Sequence, residues 1–138
     1  MATHSFDNWK QYLSDDDYLF LMSYLENIKN NLPNNKMVIL CGPGRNGKST
    51  LIKEIIEYLG DERCGMQPAS DDIIHNESIK QIMVLSELCK IRRSKKKNNA
   101  IINLIKYQQS FMSEAVSLKE VNDKLLDFSK VIKMEHVF

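Results

Sequence analysis

Cysteine is scarce in this sequence. Its three residues, Cys41, Cys64 and Cys89, form an odd set without C-x-x-C spacing. That pattern argues against a disulfide scaffold and a zinc site, and it suits a reducing compartment. No apolar run approaches the roughly 20 residues needed to span a bilayer. The opening "MATHSFDNWK" lacks the apolar core of a signal peptide. The expectation is a cytosolic or nuclear chain, in a cell or an infected one, with no membrane partner. Surplus charge is also missing: 19 Lys and Arg against 18 Asp and Glu leave a net +1, which makes no overall case for an acidic partner. Internal repeats and low-complexity tails are absent. What is present is ordinary for a globular domain: 43% apolar and 27% charged residues in a chain of 138. A chain of that size buries a core without staples.

Periodicity divides the chain into an N-terminal helical segment, 1–35, and a core, 36–138. "FDNWKQYL" reads as a short helix. A longer one follows over "SDDDYLFLMSYLENIKNNL", with Ser14 as N-cap and Asp17 completing an approximate capping box. Tyr18, Leu21, Met22, Leu25, Ile28 and Leu32 recur every three or four positions as one buried stripe. The acidic run 15–17 suits the positive end of that helix, and "PNN" (33–35) ends it. Trp9, Phe20 and Tyr24 are expected to pack. "KMVILC" has the length and all-apolar character of a strand covered on both faces. A helix over Lys48–Leu59 stops at Gly60 as a C′ residue. A short strand is expected near "RCGMQ" (63–67), a loop over "PASDDIIHNESIK", and a buried strand over "QIMVLSEL" (81–88). "NNAIINLIKYQQSF" suggests a helix, "SLKEVNDKLLDF" a short helix or irregular loop, and "SKVIKMEHVF" a last strand. Strands alternating with helices indicate an α/β layered domain with a mainly parallel sheet.

Between the first strand and its helix stands "GPGRNGKST", residues 42–50. Gly42, Gly47, Lys48 and Ser49 satisfy G-x-x-x-x-G-K-[ST] in the strand–loop–helix context the pattern requires. Glycines let the backbone wrap a phosphate with its N–H groups inward, and the helix N-terminus adds partial positive charge. Lys48 is expected to reach the outer phosphates and the Ser49 hydroxyl to ligate Mg²⁺, a cation that prefers oxygen. Thr50 is a helix residue expected at the inner phosphate. The whole loop, with Pro43, Gly44, Arg45 and Asn46, forms the nucleotide cradle; Arg45 faces solvent or the outer phosphate. The alternative is a glycine-rich turn that merely caps a helix.

Hydrolysis also needs an acid to place Mg²⁺ and polarise water. Glu87, at the end of "IMVLSEL", stands where a Walker B acid would. The position before it is Ser86, which brings no charge. A solvated strand-end acid is the bland alternative for Glu87, and Asp71 and Asp72 are reserve candidates.

"GPGRNGKSTL" resembles the Walker A motif of superfamily 3 helicases, in which Asn directly precedes Gly-Lys-Ser. The "SE" strand end and the order of elements also resemble the poxvirus-type primase-helicase branch of large DNA viruses and phages. The resemblance implies an ASCE-type P-loop NTPase, a three-layer sandwich that binds ATP and Mg²⁺ and acts in DNA replication or processing. It implies Lys106 as a helix-borne lysine and "SKVIKMEHVF" as the sensor strand, with "VIKM" between the P-loop and Walker B strands. The family's sensor strand ends in Asn; here Glu135 or His136 stands near that place. An arginine-finger region has no counterpart, so the expectation is a minimal or reduced ATPase core. Self-association or a partner ATPase subunit would complete such a site.

"KIRRSKKK" (90–97) holds six of the nineteen cations: Lys90, Arg92, Arg93, Lys95, Lys96 and Lys97. Cations displace condensed counterions from nucleic-acid phosphates, so this run is the candidate contact for single-stranded DNA. It lacks aromatics for base stacking, and the competing reading is a solvated loop. Arg92 or Arg93 as a finger toward a neighbouring subunit is a further alternative. His75 and His136 have no metal spacing. Two other functions fit the loop: a small nucleoside or metabolite kinase with "KIRRSKKK" as lid, and a nucleotide-binding regulator without hydrolysis.

Overall fold

Five short apolar runs become parallel strands in the computed structural model, which describes residues 6–44, 47–71 and 80–134. The strands are β1 (Met37–Cys41), β2 (Cys64–Pro68), β3 (Ile82–Ser86), β4 (Ser110–Ala115) and β5 (Ser129–Lys133). All pair in parallel, in the order β2-β3-β4-β1-β5. Among the described residues four α-helices accompany them: α1 (Asp15–Lys29), α2 (Lys48–Leu59), α3 (Lys95–Lys106) and the single turn α4 (Asp123–Leu126).

Alternation along the strands divides the core in two. Val38, Leu40, Ile82, Val84, Met112 and Ile132 face α1 and α2, whereas Met37, Ile39, Met83, Leu85 and Phe111 face α3 and α4. The result is a helix–sheet–helix sandwich with a continuously apolar β1 flanked by β4 and β5, as both-face burial demands. The N-terminal segment joins the first layer: Trp9 is buried and its indole N–H donates to Glu54 of α2 at 2.6 Å.

Local signals explain most boundaries. Ser14 Oγ accepts from the Asp17 N–H at 3.1 Å, giving α1 its cap. Gly60 ends α2 at φ +95°, with its N–H on Ile56 O. The α1 stripe is Tyr18, Leu21, Tyr24, Leu25 and Ile28. Leu32, expected to continue it, lies beyond the helix end and is exposed.

Two expectations are corrected. The helix expected over "NNAIINLIKYQQSF" begins earlier, in the basic run at Lys95, and ends at Lys106, so Ser110 and Phe111 open β4. Consequently the strand between β1 and β3 is β4, not "VIKM", which belongs to β5 on the outer side of β1. "SLKEVNDKLLDF" resolves into a 3-10 turn over Leu118–Glu120 and α4.

Candidate functional site

The C-terminal ends of β1, β3 and β4 converge on the start of α2, where the topology places the described residues of the glycine-rich loop. Gly47 adopts φ +86° immediately before α2, a left-handed conformation that costs glycine little. The Gly42 N–H donates to Ala115 O at 3.0 Å, fastening the loop to the end of β4. Lys48 is buried, and its ammonium donates to Gly42 O at 2.5 Å and Pro43 O at 2.9 Å. Those carbonyls hold the charge over the loop it serves. Ser49 and Thr50 lie in the first turn of α2, both exposed. Arg45 and Asn46 lie outside the described residues.

Beside the loop is a cavity of about 480 Å³ lined by Lys48, Ser49, Ser86, Glu87, Glu114 and Glu120, with apolar walls from Ile52, Ile56, Met66 and Val84. The structure therefore brings the loop lysine, the serine and Glu87 together. Glu87 follows β3 in a left-handed conformation, φ +60° and ψ +39°, and its carboxylate is paired with Lys90 at 3.1 Å. Burial raises the Cys41 thiol's pKa at the end of β1, with the Lys48 charge opposing.

Sequence reasoning missed Glu114. Ser49 Oγ donates to its Oε2 at 3.4 Å, so a second carboxylate stands at the phosphate-loop serine. It occupies the end of the strand that lies between β1 and β3. Glu120 is fixed differently, accepting from the Val116 and Ser117 N–H groups at 2.6 and 3.2 Å. Of the other candidates, Asp71 is exposed after β2, while Asp72, His75, Glu135 and His136 lie outside the described residues. Lys106 is not brought to the site. It ends α3 just before β4 begins, at the opposite end of the strands from the site, where its ammonium lies 5.3 Å from the Phe128 ring centroid.

The basic run separates into several environments. Lys90 pairs with Glu87, Lys97 Nζ donates to Ser70 O at 2.5 Å, and Lys96 is exposed on α3. Arg92, Arg93 and Lys95 line a second cavity of about 530 Å³, to which α4 adds Lys124. Asn98, buried beneath it, donates to Ile91 O and Ser94 O and so binds the turn after β3 to α3. Among the described residues no group of three or more His, Cys, Asp or Glu side chains is arranged to hold a metal, and all three cysteines are free. No described helix is long and apolar enough to cross a membrane.

No protein-family model matches this sequence, and no curated protein matches it. Solved structures do. The RuvB Holliday junction branch migration motor of Thermotoga maritima superposes with a TM-score of 0.64 at 16% identity, over 96% of this chain and 47% of that one. PCH-2 of C. elegans superposes with a TM-score of 0.59 at 12% identity, over 94% of this chain and 45% of that one. The chain thus spans about half the length of each. At these identities the likeness is one of architecture: this chain has the α/β fold of the P-loop NTPases.

Proposed function

We propose that the chain is a Mg²⁺-dependent ATP-binding and ATP-hydrolysing module of the superfamily 3 helicase type, acting on DNA. The observation that carries this reading is the cavity that unites Lys48 and Ser49 at the start of α2 with Glu87 at the end of β3. Lys48 exchanges its two loop carbonyls for phosphate oxygens, moving a charge already buried at the site. The loop N–H groups and the α2 N-terminus hold the inner phosphates. The donor set suits Mg²⁺, since a hydroxyl and carboxylates are hard oxygen ligands. Ser49 and one of the cavity carboxylates would hold the ion, which neutralises charge on the phosphates when bound. Glu87 polarises the attacking water once its carboxylate leaves Lys90.

For nucleic acid, Arg92, Arg93, Lys95 and Lys124 line one cavity in the α3 layer, where four cations outweigh the single acid Asp123. Binding there is electrostatic and weakly selective in sequence. A neighbouring copy or a partner ATPase supplies the finger. A second reading, a nucleotide-binding regulator without turnover, draws on the Glu87–Lys90 pair and on Ser86, which brings no charge to the position before Glu87.

Phosphate release from ATP, measured with and without single-stranded DNA and with Lys48→Ala as control, separates these readings. DNA-stimulated release that the substitution abolishes supports the helicase-type ATPase. Tight binding without turnover supports the regulator, and phosphorylation of an added nucleoside would identify a kinase instead.

A further inference from the structure

The carboxylate that Ser86 lacks stands one strand nearer the phosphate loop. Register aligns Val84 with Met112 and Leu85 with Ser113 across β3 and β4. Continued by one residue, it sets Ser86 beside Glu114. On its other side β4 aligns Glu114 with Leu40 of β1, the strand that feeds the loop. Alternation puts Glu114 on the face of the sheet that carries Met112 and α2, and its Oε2 reaches Ser49 Oγ at 3.4 Å. Adjacent oxygens around an octahedral Mg²⁺ are about 3 Å apart, because each bond is about 2.1 Å. The two oxygens are therefore spaced nearly as a shared ion requires. Glu87, by contrast, is turned into a left-handed conformation and paired with Lys90.

We infer that Ser49 and Glu114 form the Mg²⁺ site of this chain, leaving Glu87 to act on water. The inference rests on the ATP-binding reading and specifies which carboxylate faces the metal. It divides the two acids by role: Glu114 sets the Mg²⁺ requirement, and Glu87 sets turnover.

The test is the affinity of a fluorescent ATP analogue for the full chain, titrated across Mg²⁺ concentrations and repeated in EDTA. Glu114→Gln is expected to raise the Mg²⁺ needed for half-maximal tightening about 10- to 100-fold, as loss of a metal-positioning group does. Its metal-free affinity should equal or exceed that of the natural chain, because a negative charge near the phosphates has gone. That EDTA arm also shows that the variant is folded. Adding Ser86→Asp to Glu114→Gln should restore the Mg²⁺ response, whereas Glu87→Gln alone should leave it in place. An unchanged Mg²⁺ dependence in Glu114→Gln overturns the inference while leaving ATP binding intact. Equal weakening with and without Mg²⁺ also overturns it, by assigning Glu114 to the fold. Failure of the natural chain to bind the analogue in either condition removes the ATP reading and this inference together.

Discussion

At the scale of single residues, the sheet that carries the site is joined by a few polar groups whose partners lie far away in sequence. Tyr24 is the clearest. It is buried in α1, its hydroxyl lies 2.7 Å from Lys36 O, and it accepts from the Phe111 N–H at 3.1 Å. Burial holds the phenol well above its ordinary pKa, so it stays a neutral donor and acceptor. Through it α1 fixes the starts of β1 and β4 together. Tyr24→Phe leaves the buried Phe111 N–H without that partner, a loss of about 1–3 kcal/mol. A urea melt should show a lower midpoint with an unchanged slope. An unchanged midpoint would show that the hydroxyl does not join these strands. None of this was legible in the sequence, where Tyr24 reads only as a packing residue. Its hydroxyl partners are set by tertiary placement.

At the scale of elements, legibility followed the strength of the punctuation. The helix Lys48–Leu59 emerges with the bounds that Gly47 and Gly60 predict, because glycines at positive φ stop it at both ends. Gly60→Ala tests this directly. At φ +95° a Cβ would meet Glu62 Oε1 at 2.7 Å, and the left-handed, extended conformation is nearly reserved for glycine. The expected cost is about 1–3 kcal/mol of stability, read as a shifted denaturation midpoint. The α3–β4 junction has no such mark. Its turn uses Gln108 at φ +70°, a residue that carries no turn signal there, so helix and strand read as one run. β4 hides its pattern further. Ser110 and Ser113 occupy fully buried positions, Ser113 donating to Leu85 O, and polar residues at core positions blur alternation. Missing β4 meant missing Glu114. "SFMSEA" and "IMVLSE" both place a Ser-Glu pair at a strand end, and that parallel was the available signal.

At the scale of the whole molecule, a nearly neutral chain keeps its cations in local patterns. The basic run reads as one feature in sequence. Folding instead assigns Lys90 to Glu87 and Lys97 to Ser70, and it recruits Lys124 from α4 to the cavity of Arg92, Arg93 and Lys95. Replacing those four cations with Gln should weaken single-stranded DNA binding at all sequences. It should also flatten the plot of log affinity against log salt by about 0.7 for each phosphate that is no longer neutralised. An unchanged slope would show that this cavity does not contact DNA.

The glycine-rich loop, the parallel sheet and the position of Glu87 after a buried strand were legible in local sequence; the strand order and the position of Glu114 follow from how the strands pair. The most direct test of their common meaning is calorimetric titration of MgATP into the natural chain and Lys48→Ala. Saturable binding that weakens about 10- to 100-fold in the variant is expected, since on the proposed reading the buried ammonium would contribute charged hydrogen bonds to the phosphates. Equal affinity in both chains would contradict the assignment of this cavity as the nucleotide site.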